Sequence, residues 1–192
     1  MLMRAVLVVL ILIAGQPASA EQTHRADLAF KLPSESDSAF AARMLKVPGD
    51  ELHTLTTSWN GVPTIFADYV TGRETETPER PLIALQQAPE GGYRKLLVTV
   101  GETEGGEPDI EAIGFANADD DPAKELIVLL AWNEPHYGAC GPVYEVRIFD
   151  DPKPSEASLR LLPVSKHFGE GCEHFRFKTI AAVKRELTRL GY

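Results

Sequence analysis

Hydrophobic and polar residues alternate with the two-residue period of β-strands in segments such as 93–100 and 143–149. The segment ELIVLLAW at 125–132 is apolar on both faces, which predicts a central strand covered on both sides of a sheet. Turn signals such as Pro89-Glu90-Gly91-Gly92 separate neighbouring segments, so we expect antiparallel hairpins. The predicted strands are 62–70, 82–88, 93–100, 110–116, 125–132 and 143–149, with shorter ones at 159–164 and 174–178.

Two segments have the spacing of helices instead. Ser36 or Asp37 is a suitable N-cap for a short helix at 39–45, and one or two further helical turns are predicted over 50–57. Near the end of the chain, Thr179 precedes an apolar stripe at 180–190, and Gly191 stands where a C-cap belongs. The pattern as a whole predicts an α+β, mostly β fold. We expect a meander-like antiparallel sheet of about 6–8 strands, a short N-terminal helical segment and a C-terminal helix packed on the sheet.

The first twenty residues have the pattern of a cleavable secretory signal peptide. Arg4 precedes an apolar run at 5–14, and Ala18-Ser19-Ala20 supplies the small residues of a cleavage site. The run is shorter than the roughly 20 residues that a transmembrane helix needs, so a membrane anchor is the weaker interpretation. We therefore expect a soluble, periplasmic or secreted protein. Its predicted parts are a signal peptide at 1–20, a flexible arm at 21–35 and one globular domain at 36–192.

The charge of the chain limits its partners. Removing the signal peptide takes away Arg4 and no acidic residue, which changes the net charge from −9 to −10. Such a charge repels nucleic acids and anionic membrane surfaces, and it attracts cationic proteins and divalent metals. We therefore predict no nucleic-acid partner and no membrane insertion after cleavage, and a cationic envelope protein as the favoured partner.

The two cysteines, Cys140 and Cys172, predict a disulfide, because an even count in an exported chain favours one. Two alternatives use the same residues. They could bind zinc together with His136, His167 and His174, although the spacing matches no compact zinc motif. Cys140 could also be a nucleophile with His136 or His174 as its base.

The loop between two predicted strands carries the strongest sign of a functional site. Its sequence is Asn117-Ala118-Asp119-Asp120-Asp121-Pro122-Ala123-Lys124-Glu125. Oxygen-bearing side chains stand at the first, third, fifth and ninth positions, and a backbone carbonyl near Ala123 would add another ligand. Calcium takes six to eight hard oxygen ligands, and alternate carboxylates on a tight loop can converge on one ion. The predicted metal ligands are Asn117, Asp119, Asp121 and Glu125.

The fifteen residues FANADDDPAKELIVL resemble the calcium hairpin loop of FG-GAP and VCBS-type repeats. The resemblance implies a calcium ion held between two adjacent antiparallel strands. It occurs once, so it does not imply a propeller, which needs several blades. Pro122 stands where those families usually have glycine, and proline cannot adopt a positive φ. The alternative interpretation is an acidic, solvated turn that only separates two strands.

Two classes of function fit this sequence. The first is an exported, non-enzymatic domain that binds calcium and another protein, in the manner of an inhibitor or an immunity protein. The alternative is a hydrolase whose site forms only in the fold, with the acidic residues of 102–111 and the histidines at 136, 167 and 174 as its material. No G-x-S-x-G, H-E-x-x-H or phosphate-binding loop is present, so the sequence favours the first class.

Overall fold

The computed structural model describes residues 28–73, 77–103, 107–132, 143–153, 156–169 and 176–192. The predicted signal peptide, Cys140, Cys172, His136 and His174 lie outside the described residues. The elements are α1 (Asp37–Leu45), β1 (His53–Trp59), β2 (Val62–Asp68), β3 (Arg80–Gln87), β4 (Tyr93–Gly101), β5 (Pro108–Ala116), β6 (Glu125–Trp132), β7 (Val143–Phe149) and α2 (Ile180–Leu190). Short 3-10 helices lie at Gly49–Glu51 and Pro163–Phe168.

The strands form two antiparallel sheets rather than the single sheet of about 6–8 strands that the pattern predicts. One sheet has the order β1-β2-β3-β4 and the other has the order β5-β6-β7. The two sheets approach each other closely at Gly101, the last residue of β4. A Cβ added there would lie only 2.9 Å from Cβ of Pro108, the first residue of β5. The prediction of a mostly β, antiparallel fold is therefore confirmed, whereas the strands are divided between two sheets of four and three.

The molecule has four layers, with the two sheets between the two helices. The sheets pack face to face through a core that includes Trp59, Phe66, Val128 and Trp132. Helix α1 covers the outer face of the first sheet, and α2 covers the outer face of the second. Strand β6 is buried along its whole length and is central in its sheet. This confirms the interpretation of ELIVLLAW as a strand with two covered faces.

Both helices begin and end as their sequences predict. The side chains of Ser36 and Thr179 accept hydrogen bonds from the backbone N–H of Ala39 and Ala182, respectively. Gly191 ends α2 with a φ of 100°, which glycine adopts without strain. Helix α2 lies very close to β5. At Gly114 of β5 there is no room for a larger residue, since an added Cβ would lie only 2.4 Å from the side chain of Ile180.

Three predictions of local structure are wrong. Residues 53–57 are part of β1 rather than a helical turn, since the threonine-rich run pairs with β2. In 159–164, Leu161 only bridges Phe149, and a 3-10 helix begins at Pro163. Residues 176–178 do not form a strand. The two short segments had too few alternating positions to distinguish a strand from an irregular connection.

The described part of the predicted N-terminal arm is held against the domain. Ala29 pairs with Tyr93 at the edge of β4, and Arg43 on α1 donates hydrogen bonds to Glu35 at 2.7 Å. None of the helices in the described ranges has the length and apolar character needed to cross a membrane.

Candidate metal centre

The loop that connects β5 and β6 is folded by its own acidic side chains. The carboxylate of Asp119 accepts a hydrogen bond from the N–H of Asp121 at 3.0 Å, and Asp121 accepts one from the N–H of Ala123 at 2.7 Å. The N–H of Ala118 donates to Oε2 of Glu125, the first residue of β6. Short polar side chains therefore fix the turn in which the sequence predicts a metal site.

A third aspartate from another strand joins the loop. Oxygens of Asp119, Asp121 and Asp150 all lie within 4.8 Å of one another. Calcium–oxygen distances are 2.3–2.6 Å, so ligands on opposite sides of one ion are about 5 Å apart. The three carboxylates are therefore close enough to share a single calcium ion.

The sheet register explains how Asp150 reaches this place. Leu126 of β6 pairs with Phe149 of β7, so the next residues outward, Glu125 and Asp150, are neighbours across the two strands. Ile127 and Ile148 belong to the core beneath α2, and alternation places Glu125 and Asp150 on that same face. The site thus combines a loop after β5 with the end of β7.

Glu125 is buried beside this cluster without a full set of partners. Its side chain is 0% exposed, and Oε1 has no hydrogen-bond partner among the described residues. Burial raises the pKa of the Glu125 carboxyl to about 7, and the charges of Asp119 and Asp121 also raise it. An unpaired, buried carboxylate oxygen is costly, because no donor among the described residues compensates for its lost hydration.

Among the described residues, one basic side chain contacts the cluster. Arg160 donates to Oδ2 of Asp150, with its Nε at 3.1 Å, and the N–H of Asp151 donates to Oδ1 at 3.0 Å. Burial and the neighbouring acids Asp150, Asp121 and Asp119 raise the pKa of the Asp151 carboxyl. The guanidinium of Arg160 is a single positive charge among several carboxylates, so the cluster stays strongly negative.

The structure brings together only some of the predicted ligands. Asp119 and Asp121 converge, whereas Glu125 is not part of the mutual 4.8 Å set. Asn117 is exposed at the end of β5, where it lines a shallow groove with Lys124 and residues of α2. Sequence reasoning missed Asp150. In the sequence, Asp150 is distinguished only by its position directly after a predicted strand. The register of β6 with β7 is what places it at the loop.

Three of the described residues from the alternative sites contact charged side chains away from the loop. Nε2 of His167 lies 2.8 Å from Oε1 of Glu186 on α2. Within the acidic run, Glu107 and Asp109 contact the buried guanidinium of Arg80 at 3.1 and 3.2 Å. The other residues of the predicted disulfide, zinc and nucleophile sites lie outside the described part of the chain.

Comparisons with known proteins return nothing: no family model, no curated protein and no solved structure matches this chain. The resemblance of residues 115–129 to an FG-GAP or VCBS-type loop therefore stays a prediction from sequence.

Proposed function

We propose that this protein is an exported, non-enzymatic binding domain that holds a calcium ion between Asp119, Asp121 and Asp150. The observation that supports this most directly is the unpaired Oε1 of Glu125, fully buried beside three converging carboxylates. A divalent cation would stabilise all four acids at once, since it compensates for both their mutual repulsion and the buried charge.

The donor set favours a hard cation such as calcium over zinc. The ligands are all oxygens, which suit hard cations, whereas zinc prefers histidine and cysteine. Asp121 and the loop carbonyls are near the surface, so water can complete a shell of six to eight oxygens. The predicted signal peptide would deliver the chain to a compartment in which calcium is plentiful.

The partner that we propose for this domain is a cationic envelope protein. The support is its charge: the chain has 28 acidic and 19 basic residues. A negative field of this size accelerates encounters with a basic surface and repels acidic ones. Inhibition of a basic enzyme or immunity to a basic toxin would use this property.

A hydrolase is the alternative proposal. It would need a histidine and a carboxylate that share a pocket and are free to transfer a proton. Among the described residues, Nδ1 of His53 lies 3.4 Å from Asp68, and the same Asp68 is bound by Arg80 at 2.8 Å. Because this carboxylate already pairs with a buried arginine, the cluster fits a structural ion-pair network better.

The calcium proposal is tested by thermal unfolding in EDTA and then in excess calcium chloride. Calcium at a hundred times its Kd should add about 2.7 kcal/mol of stability to the wild-type protein. The double variant Asp119→Asn/Asp121→Asn should lose this stabilisation, because both substitutions remove charge at nearly constant volume. Asp120→Asn is the matched control, since Asp120 is an exposed acid of the same loop that lies outside the cluster.

Two results would contradict the proposal. One is a wild-type melting temperature that does not change between EDTA and calcium. The other is an equal calcium-induced increase in the wild-type protein and in the double variant, which would place the ion elsewhere.

A further inference from the structure

The tip of the hairpin formed by β1 and β2 contacts Lys124, the last residue of the loop that connects β5 and β6 (the metal loop). Strands β1 and β2 are joined by Asn60 and Gly61, which have φ values of 50° and 82°. The side chain of Asn60 receives a hydrogen bond from the N–H of Lys124 at 2.9 Å and donates one to the Lys124 carbonyl at 3.1 Å. The indole N–H of Trp59 donates to the same carbonyl at 2.6 Å. Three hydrogen bonds thus connect the first sheet to the loop of the second.

These contacts fix the orientation of a peptide plane inside the loop. The N–H of Lys124 belongs to the same planar, trans peptide unit as the carbonyl of Ala123, so the two groups point in opposite directions. Because that N–H points at Asn60, the Ala123 carbonyl points away from the hairpin. The N–H of Ala123 is already bound to the carboxylate of Asp121. Asn60 and Asp121 therefore hold successive peptide units on the C-terminal side of the loop.

The contacts are specific to the hairpin turn. A two-residue turn with two positive φ values is the type I′ turn, for which Asn-Gly is a favoured sequence. The turn would also form with glycine in place of Asn60, since glycine adopts positive φ more readily. The turn geometry thus does not require the amide of Asn60, whereas the contact with Lys124 does.

We propose that Asn60 is a positioning residue of the metal centre. Trp59, which donates to the same Lys124 carbonyl as Asn60, couples the hairpin to the conformation of the loop. This inference rests on the proposed calcium site. The amide of Asn60 holds the loop in the conformation that presents its oxygens, so the ion binds a preorganised site. Binding of the ion in turn strengthens the contact between the two sheets.

The test compares calcium affinities by isothermal titration calorimetry with calcium chloride on the full chain. Asn60→Gly keeps the turn and removes the two side-chain hydrogen bonds to Lys124. We expect calcium to bind about 10-fold more weakly or worse, as is usual when support behind a metal ligand is lost. A merely structural role would lower the melting temperature in EDTA and leave the calcium Kd unchanged.

A pair of tryptophan variants distinguishes a specific effect on the metal loop from a general loss of core packing. Trp59 and Trp132 share the core between the sheets, and each donates its indole N–H to a carbonyl oxygen, at 2.6 Å to Lys124 and at 2.9 Å to Glu102. They lie near opposite ends of β6, whose eight residues span roughly 23 Å. Trp59→Phe should weaken calcium binding, whereas Trp132→Phe should not, although both lower the melting temperature.

Fluorescence gives a readout at the contact itself. In the Trp132→Phe variant, Trp59 is the sole tryptophan, and calcium should shift its emission. In the Trp59→Phe variant, the emission of Trp132 should not respond.

The outcomes of these experiments are distinguishable. If the wild-type protein binds no calcium, the proposed function is wrong and this inference is wrong with it. If the wild-type protein binds calcium, but Asn60→Gly binds within about twofold of it and Trp59 emission is unchanged, only the positioning role is overturned.

Discussion

Two glutamates are buried on the same side of the second sheet, and their surroundings are opposite. Glu186 on α2 is 5% exposed and is contacted by His167 at 2.8 Å, Arg189 at 2.9 Å and Arg176 at 3.7 Å. Hydrogen bonds from Arg189 and His167 hold the pKa of the Glu186 carboxyl down at about 2. Glu125 is 0% exposed, has no basic partner in the described residues, and has its pKa raised to about 7.

The difference shows which buried acid the chain neutralises with its own residues. Around Glu186 the protein supplies its own cations, so the carboxylate is stable in the ionised form without any ligand. Around Glu125 the neighbours are the acids Asp119 and Asp121, which add repulsion to the cost of burial. No basic side chain among the described residues pairs with Glu125. A bound metal ion would stabilise its ionised form, and protonation is the alternative when no metal is bound.

The largest expected effect is on the pH dependence of stability without metal. The pKa of Glu125 is about 7 in the folded state and near its ordinary 4.5 when unfolded, so between these values the folded state binds the extra proton. Stability in EDTA should therefore fall as pH rises from about 4.5 to about 7, by no more than about 3 kcal/mol. Glu125→Gln should remove this loss, as measured by urea unfolding at a series of pH values.

Glu186→Gln is the matched control, and its pH window is different. Because the folded pKa of Glu186 is lowered, its contribution is complete above about 4.5 and is lost as pH falls towards 2. The variant should be less stable than the wild-type protein at neutral pH. Its stability should also decrease less as pH falls towards 2. Part of the acid dependence remains, since Arg43 holds the pKa of Glu35 at about 2 in the same way. If Glu125→Gln kept the wild-type decline above pH 4.5, the contrast between the two glutamates would be wrong.

A smaller effect is expected on calcium affinity. Below pH 7 a proton on Glu125 must leave before the carboxylate can stabilise the ion, so binding should weaken as pH falls. The change should approach tenfold for each pH unit between about 7 and 5, because one proton leaves Glu125 for each ion that binds. Calorimetric titrations at pH 8, 7 and 6 measure it. Glu125→Gln should bind calcium with little dependence on pH over this range, and an unchanged slope would assign the proton to another group.

Local patterns were sufficient for the elements that carry their own signal. Strand β6 has eight consecutive residues that fit a doubly covered strand, and α2 has an N-cap, an apolar stripe and a C-terminal glycine. The threonine-rich run of β1 carried a weaker signal, because it lacks a regular alternation of apolar and polar residues although threonine favours strands. Its pairing with β2 decided the outcome. The division into two sheets was also out of reach, since alternation shows which residues are buried but not which faces meet.

The same limit applies to the metal centre. Alternating acids at 119 and 121 point to a metal loop because ligand spacing is a local property. Asp150 is 29 residues after Asp121, and it joins them only through the pairing of Leu126 with Phe149. Asn60 is 64 residues before Lys124 and contacts it through packing of the two sheets. Long-range neighbours of this kind follow from topology, which one sequence does not determine.

The smallest expected effect concerns two exposed arginines, one that contacts the acidic cluster and one that contacts Glu186. Arg160 contacts Asp150 with 56% of its side chain exposed, and Arg189 contacts Glu186 with 61% exposed. Arg160→Gln removes a positive charge that repels an incoming cation, so calcium should bind roughly three- to fivefold more tightly. Arg189→Gln is the control and should leave the calcium Kd unchanged, because its charge belongs to the other glutamate. Raising the salt concentration should reduce the gain from Arg160→Gln, since exposed charges are screened. Weaker binding by Arg160→Gln would mean that Arg160 instead holds Asp150 in place for the ion.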